Sequence, residues 1–300
     1  MSFSVLLTQV FNGLSLFTIL LLMALGLAIV FGLMGVINMA HGELMTLGAY
    51  VTYLTAQFFS RHLPSLMHWY LFVAIILAFS VTFAFGYLLE RGFIRWFYNR
   101  PLDTLLATWG LSLILQQSYR SIFGSREVSV PLTSWLSGAW EPSASVQLPL
   151  NRIFIIGLTV LVAFGVYLIL YKTRLGLRAR AVTQNRAMSS AVGINTNRVD
   201  ALTFALGSGL AGIAGAVFTM IGSTNPGSGQ LYIVDSFIVV VFGGVASLFG
   251  TAASSFLIAQ SQTTLEYLMS DSMAKVSILL LVIVVLYFRP NGLFSSKVRS

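Results

Sequence analysis

The chain has 300 residues, of which 57% are hydrophobic and only 9% charged, with a mean hydropathy of +0.86; soluble domains carry about 25% Asp, Glu, Lys and Arg, so a soluble fold is excluded. It contains no cysteine and three histidines, which removes disulfides, thiolate metal sites and cysteine nucleophiles and argues against a histidine-rich metal centre. The net charge of +8 does not point to nucleic acid, because the basic residues sit beside apolar runs and form no face with interleaved aromatics; they read as topology determinants facing anionic lipid.

About 20 apolar residues cross a bilayer as a helix. In chain order the candidates are Leu7–Gly35, Glu43–Phe59, Tyr70–Glu90, Thr104–Tyr119, Ile153–Tyr171, Val199–Ile221, Tyr232–Leu248, Thr251–Met269 and Met273–Phe288. This predicts an all-α, polytopic integral membrane protein of about 8–9 transmembrane helices, one domain over residues 1–300. The opening run lacks a basic flank and exceeds the 7–15 apolar residues of a secretory signal, so it is expected to remain as a span.

The first span ends in Gly35-Val-Ile-Asn38-Met-Ala-His41-Gly42-Glu43. A break at membrane depth leaves backbone groups without partners. Asn38 can cap the helix that follows, and Glu43 falls in its first turn, where the positive dipole end favours a carboxylate. The segment reads either as a polar constriction on a solute pathway or as a capped hairpin at the membrane surface. His41-x-Glu43 matches half of a zinc deaminase motif, but the cysteine half cannot exist here.

The pattern Phe31…Gly35-x-x-Asn38-x-x-x-Gly42-x-Leu44 returns as Phe218…Gly222-x-x-Asn225-x-x-x-Gly229-x-Leu231. Corresponding breaks in two halves of a membrane chain are the mark of an inverted internal repeat, with the pathway between the halves. The second break, Asn225-Pro-Gly-Ser-Gly229, also reads as an ordinary turn-rich loop. Asp235 follows near the start of an apolar run, where it faces the pathway, pairs with Lys275 or caps the helix. Gly207-Ser-Gly-Leu-Ala-Gly212 fits a dinucleotide fingerprint but lies inside an apolar helix with no preceding strand. Gly207, Ala211 and Gly215 instead strip one helix face of bulk for close helix approach in lipid.

Lys and Arg concentrate in the 90–100 connection, in the 172–198 connection and in the tail with Arg289, Lys297 and Arg299. Counted by the positive-inside rule, nine spans place the amino terminus outside and the carboxyl tail in the cytoplasm. The two breaks then lie toward opposite sides. Residues 172–198 form a cytoplasmic connection in which Ala179–Ala191 favours a short helix, stopped by Gly193-Ile-Asn195. It reads as a docking element for a soluble partner or as a plain basic loop touching lipid headgroups. No phosphate-binding P-loop occurs, so any ATPase must be a separate polypeptide.

Taken together and in order, these segments resemble the inner-membrane permeases of branched-chain amino acid and urea ABC importers. The residues that carry the likeness are Gly35 to Glu43, Leu175-Gly176 with Arg178-Ala-Arg180-Ala181, Gly193-Ile-Asn195, Leu210-Ala-Gly-x-Ala-Gly215, Gly243-Gly244 and Arg289-Pro-x-Gly292-Leu293. Within the family the chain is most similar to the urea permease of the B type, through Phe31–Leu44, Arg100–Gly110, Thr203–Gly212 and Asp235-Ser-Phe. Val245-Ala246-Ser247 departs from the glycine and polar residue expected there.

The resemblance implies a plasma (inner) membrane importer without enzymatic activity or cofactor in this chain. It also implies partners: a second homologous permease, two cytoplasmic ATPase subunits and an extracytoplasmic solute-binding protein. Urea or a close small polar analogue is the expected cargo; the alternatives are branched-chain amino acids, which would want apolar pockets and charge partners at both ends, or a stand-alone channel. Candidate pathway residues are Asn38, His41, Glu43, Thr108, Asn225 and Asp235. Candidate ATPase-coupling residues are Arg178, Arg180, Asn185, Arg186 and Gly193.

Overall fold

The computed structural model describes residues 3–98, 100–143, 146–245 and 247–294. Lys297, Arg299 and Ala246 lie outside them. Each of the nine expected spans is a helix: α1 (Phe3–Met34), α2 (His41–His62), α3 (Tyr70–Gly92), α4 (Pro101–Phe123), α5 (Leu150–Lys172), then α8 (Thr196–Phe218), α9 (Ser228–Gly243), α10 (Leu248–Leu268) and α11 (Asp271–Phe288). By length and composition alone only α1, α3, α5, α8 and α11 are apolar enough to cross a membrane. The others bury their polar residues against neighbouring helices, so hydropathy under-reads them.

Local chemistry sets the boundaries. Pro101 starts α4 at a position where its missing N–H costs nothing, and Gly124, at φ 84°, ends it. Gly35, at φ 67°, stops α1. The Tyr232–Leu248 span is displaced: α9 begins at Ser228 and ends at Gly243, because Gly244 takes φ 100°. The single cytoplasmic helix expected over Ala179–Ala191 is two, α6 (Arg174–Gln184) and α7 (Arg186–Ala191). Asn185 is extended between them, and its side chain accepts the Met188 N–H at 2.9 Å to cap α7. The only sheet among the described residues is a two-stranded ribbon, β1 (Ala139–Ser143) with β2 (Val146–Pro149), in the α4–α5 connection.

Helices α1 and α8 form the buried centre and run antiparallel. A Cβ on Gly26 would meet the Gly207 carbonyl, and one on Gly207 would meet the Gly26 carbonyl and Val30; Phe204 packs beside Val30. Helix α3 crosses α8, with Gly86 against Ser208 and Gly212 against Thr82. Helix α10 crosses α1, with Gly13 against Gln260 and Phe17 edge-on to Phe256. Helix α2 lies on α8, where Gly48 meets Gly212 and Gly215 meets the Met45 carbonyl. Of the small face anticipated on α8, Gly207 faces α1, Gly215 faces α2, and Ala211 is fully buried between them.

Exchanging α1 with α8, α2 with α9 and α3 with α10 maps each of these helix pairings onto another. The same exchange maps the breaks onto each other in detail. Gly35 N–H donates to Phe31 O and Gly222 N–H to Phe218 O, both at 3.0 Å. Asn38 Oδ1 accepts the Ala40 N–H at 3.0 Å and Asn225 Oδ1 the Gly227 N–H at 2.9 Å. Gly42 and Gly229, equivalent in sequence, touch one another, each facing the other's carbonyl.

The connections divide between two ends. At one end, Thr183 Oγ1 donates to Leu33 O at 2.6 Å, the Arg186 guanidinium lies 5.4 Å over the Tyr98 ring, and Leu293 N–H donates to Phe242 O at 2.9 Å. This basic end gathers Arg91, Arg95, Arg100, Lys172, Arg174, Arg178, Arg180, Arg186, Arg198 and Arg289. At the opposite end, Val128 and Thr224 exchange backbone hydrogen bonds, and Arg152 Nη1 donates to Asn12 Oδ1 at 2.6 Å.

Candidate functional site

The first break is held shut by a polar stripe on α4. Asn38 is buried and closes its own turn by accepting the Ala40 N–H; it does not cap α2 as expected, because Ala40 takes the N-cap position and no side chain caps the helix. Thr108 Oγ1 accepts the Met39 N–H at 3.1 Å. One turn on, Ser112 Oγ donates to Glu43 Oε1 at 3.1 Å, and Gln116 Nε2 donates to the same oxygen at 2.8 Å. Tyr119 then donates its hydroxyl to the Glu43 carbonyl at 2.9 Å. Thr108, Ser112, Gln116 and Tyr119 recur every three or four residues and so share one face of α4. Of these four, sequence reasoning named only Thr108. The polar spacing along one face of a helix of span length was the missed signal.

His41 is fully buried, and its ring rests against Gly26 of α1, where a side chain larger than hydrogen would collide with it. Neither ring nitrogen finds a hydrogen-bond partner of good geometry, although the Met23 backbone is close. Glu43 Oε2 is likewise buried without a partner.

At the second break Asn225 is half-buried. It binds the Gly227 N–H and donates to Glu127 Oε1 at 3.4 Å, while Ser223 Oγ donates to Glu127 Oε2 at 2.6 Å. Those hydrogen bonds, Ser223 first, hold the Glu127 carboxyl below the usual carboxylate range. Gly229 N–H donates to Thr46 Oγ1 at 2.9 Å, and Gln116 also reaches Gln230 Oε1 at 3.2 Å. The structure thus joins Asn38, Glu43 and Thr108 in one polar seam with residues of the second break. Asn225 belongs to a loop tie at its rim.

Asp235 lies apart from that seam. It borders a cavity of about 690 Å³ at the opposite end, between α1, α9, α10, α11 and the start of α5. The walls carry both signs of charge. Arg152 is held by Asn12, Gln262 Nε2 donates to Glu266 Oε1 at 2.8 Å, and Lys275 Nζ lies 3.6 Å from Asp271 Oδ2. Leu16, Ile19, Ile221 and Leu231 supply apolar surface. At the repeat-equivalent position of the basic end the charged groups are paired. Glu90, two residues from the end of α3 as Glu266 is from the end of α10, accepts the Tyr98 hydroxyl at 2.6 Å. Arg186 Nη2 pairs with the buried Asp200 Oδ2 at 2.7 Å. Burial and the adjacent Glu90 drive the Tyr98 hydroxyl pKa far up.

In the 172–198 segment, Asn185 caps α7, and Gly193, at φ 87°, closes it, with Ile194 N–H donating to Ser189 O at 3.0 Å. Arg178 is exposed beside Gly193 and Arg198 on a groove. Arg180 lies 5.0 Å over the Tyr171 ring. Arg186, partly exposed, pairs with the buried Asp200 and lies over the Tyr98 ring, and so anchors α7. Beside exposed polar residues such as Arg174, Arg178 and Gln184, this segment also presents apolar side chains: Leu177 on α6, Met188 on α7 and Val192 just after it are 62%, 62% and 69% exposed. Sequence reasoning, attentive to charge, passed over them.

Residues 9–286 match the family described as branched-chain amino acid transport system / permease component. The chain is 32% identical over 293 residues to the high-affinity branched-chain amino acid transport system permease protein BraD of Pseudomonas aeruginosa, covering 96% of this chain and 95% of that one. It is 31% identical over 295 residues to the corresponding permease protein LivH of Escherichia coli K12, covering 96% and 94%. A shorter likeness, 32% over 91 residues, joins 30% of this chain to 28% of the ribose import permease protein RbsC of Bacillus subtilis. These relatives are transport permeases, not enzymes. No solved structure matches.

Proposed function

Because this chain belongs to the family of branched-chain amino acid transport permease components, we propose that it is the membrane-spanning half of an ABC importer for branched-chain amino acids. It works with cytoplasmic ATPase subunits, an extracytoplasmic solute-binding protein and a second, homologous permease. The observation that carries the reading is the inverted repeat whose breaks meet at Gly42 and Gly229, with a charged cavity beyond one end of that seam and an ion-paired latch beyond the other. Two packings related by exchange of the halves would open first one end and then the other. ATP binding at the partners selects between them by differential affinity.

Positive charge faces the cytoplasm, which sets α6 and α7 on the ATPase side and the amino terminus outside. Leu177, Met188 and Val192, apolar and exposed on this segment, are suited to fill a pocket on the ATPase. The names of the full-length relatives support branched-chain amino acids as cargo, and opposite charges above an apolar floor suit a zwitterion with an aliphatic side chain.

Urea, the first expectation from sequence, stays as a second reading on one observation: the stretches Phe31–Leu44, Arg100–Gly110 and Thr203–Gly212 resemble urea permeases. The matched relatives do not support it. ATP-driven uptake of labelled leucine and labelled urea by the reconstituted importer separates the two. Leucine uptake that competes with isoleucine and ignores urea is expected; urea uptake alone would overturn the cargo assignment. Conduction by the purified chain without ATPase partners would overturn the coupled importer.

A further inference from the structure

The cavity at the end opposite the basic connections is lined by three half-buried charged side chains that enter no ion pair among the described residues, Arg152, Asp235 and Glu266, the last held by the neutral Gln262. Arg152, at the start of α5, is half-buried and bound to a neutral partner, Asn12. Asp235, on α9, is half-buried on the same cavity. Among the described residues neither enters an ion pair, and the two are too far apart to pair with each other. Half-buried charges are costly unless paired, and nothing in helix packing calls for this pair. The same cavity is lined by the apolar Leu16, Ile19 and Leu231 and by Gln262.

From this arrangement we infer that the cavity is a reception site for free α-amino acids, in which Arg152 binds the carboxylate, Asp235 binds the ammonium, and the apolar floor takes the aliphatic side chain. A guanidinium and a carboxylate recognise complementary charges through directed, charge-assisted hydrogen bonds. Asn12 holds the Arg152 fork in place, while Lys275, 3.6 Å from Asp271, also acts on Asp235 and Glu266, so these three carboxylates share one lysine. The volume of about 690 Å³ is within the range of small-molecule sites and leaves room for retained water. The proposal deepens the amino-acid importer reading and rests on it.

The test uses the complete importer in nanodiscs without its solute-binding protein, so that selectivity of the permease itself is read. A photoreactive diazirine analogue of leucine is crosslinked and mapped by mass spectrometry, with leucine, leucinol and urea as competitors. Labelling is expected in the 221–235 and 260–268 peptides, competed by leucine and poorly by leucinol, which lacks the carboxylate. Arg152→Gln should raise the leucine concentration needed for competition about tenfold or more, the loss of one charge-assisted hydrogen bond, and should make leucinol compete as well as leucine. Arg152→Lys should restore part of the preference, and Asp235→Asn should weaken both competitors. Retention of the ATPase subunits checks that each variant is assembled. Labelling elsewhere, or unchanged competition in Arg152→Gln and Asp235→Asn, overturns the site while leaving the importer reading intact if wild type takes up leucine. Failure of the wild-type importer, reconstituted in proteoliposomes with its solute-binding protein, to take up leucine removes the cargo reading and this site with it.

Discussion

Replacing Gly42 with alanine places a methyl group against the Gly229 carbonyl and 3.2 Å from the Ile233 Cβ. The obstruction is backbone, so α2 and α9 must move apart at the centre of the molecule. Overpacking of this kind costs about 1–3 kcal/mol. The helix-propensity gain of Gly→Ala, at most about 1 kcal/mol in a helix interior, offsets part of it. A net loss of about 1–2 kcal/mol is expected. Gly229→Ala attacks the same contact from the other side and also crowds Thr46 Oγ1, which accepts the Gly229 N–H; its cost should be at least as large. Once the helices have parted for one methyl group they accommodate the second, so the double variant should cost less than the sum by about 1 kcal/mol. Gly157→Ala on α5, where nothing lies within 4 Å, is the control and should be neutral or slightly stabilising. Thermal unfolding in nanodiscs, followed by tryptophan fluorescence, reads all four variants. Gly42→Ala behaving like Gly157→Ala, or strict additivity in the double variant, would refute the contact between the two halves.

Arg186→Ala removes the partner of the buried Asp200 carboxylate; the loss should be about 1–3 kcal/mol, below the 3–5 of a fully enclosed pair because Arg186 is itself partly exposed. Proteolysis within 172–198 should accelerate, and adding Asp200→Asn should reverse part of the effect. Met188→Asp with Val192→Asp should leave membrane insertion intact and reduce co-purification of the ATPase subunits, whereas Arg180→Glu, whose side chain lies on the Tyr171 ring, should affect co-purification less. At the opposite end, Glu127 has its pKa lowered by Ser223 and Asn225, so its contribution is present above the ordinary carboxylate pKa and is lost as pH falls through the lowered folded value. The protection of Val128 and Thr224 against hydrogen exchange, corrected for the intrinsic pH dependence of exchange, should therefore fall on acidification, and Glu127→Gln should abolish that fall.

Much of the architecture was legible in the residues because lipid is an unforgiving solvent. An apolar run of span length has one stable form, a helix that satisfies its own backbone, and so α1, α3, α5, α8 and α11 follow from hydropathy alone. The repeat was legible for a related reason. The close approach of Gly42 and Gly229 tolerates one residue type, so that pair survives in both halves; Gly35 needs glycine for its φ of 67°, whereas its counterpart Gly222 has no positive φ. What misled was reading single residues without neighbours. Asn225 is written like Asn38, yet the Glu127 loop lies beside it and draws its side chain to the rim. Arg186 stands in a basic run, yet it pairs with Asp200 and lies over the Tyr98 ring.

Composition and pattern alone therefore determined a membrane-embedded helical chain, its span positions, its inverted repeat and the clustering of its positive charge. Only the tertiary structure decided that α4 closes the break through Ser112, Gln116 and Tyr119, that Arg152 and Asp235 border one cavity, and that the equivalent place at the basic end is latched. The physical reason is range. Burial of an apolar helix depends on a window of about 20 neighbouring residues, whereas a hydrogen bond or an uncompensated charge depends on which distant residue lies a few ångströms away, as Glu43 and Gln116 do across 73 positions of the chain.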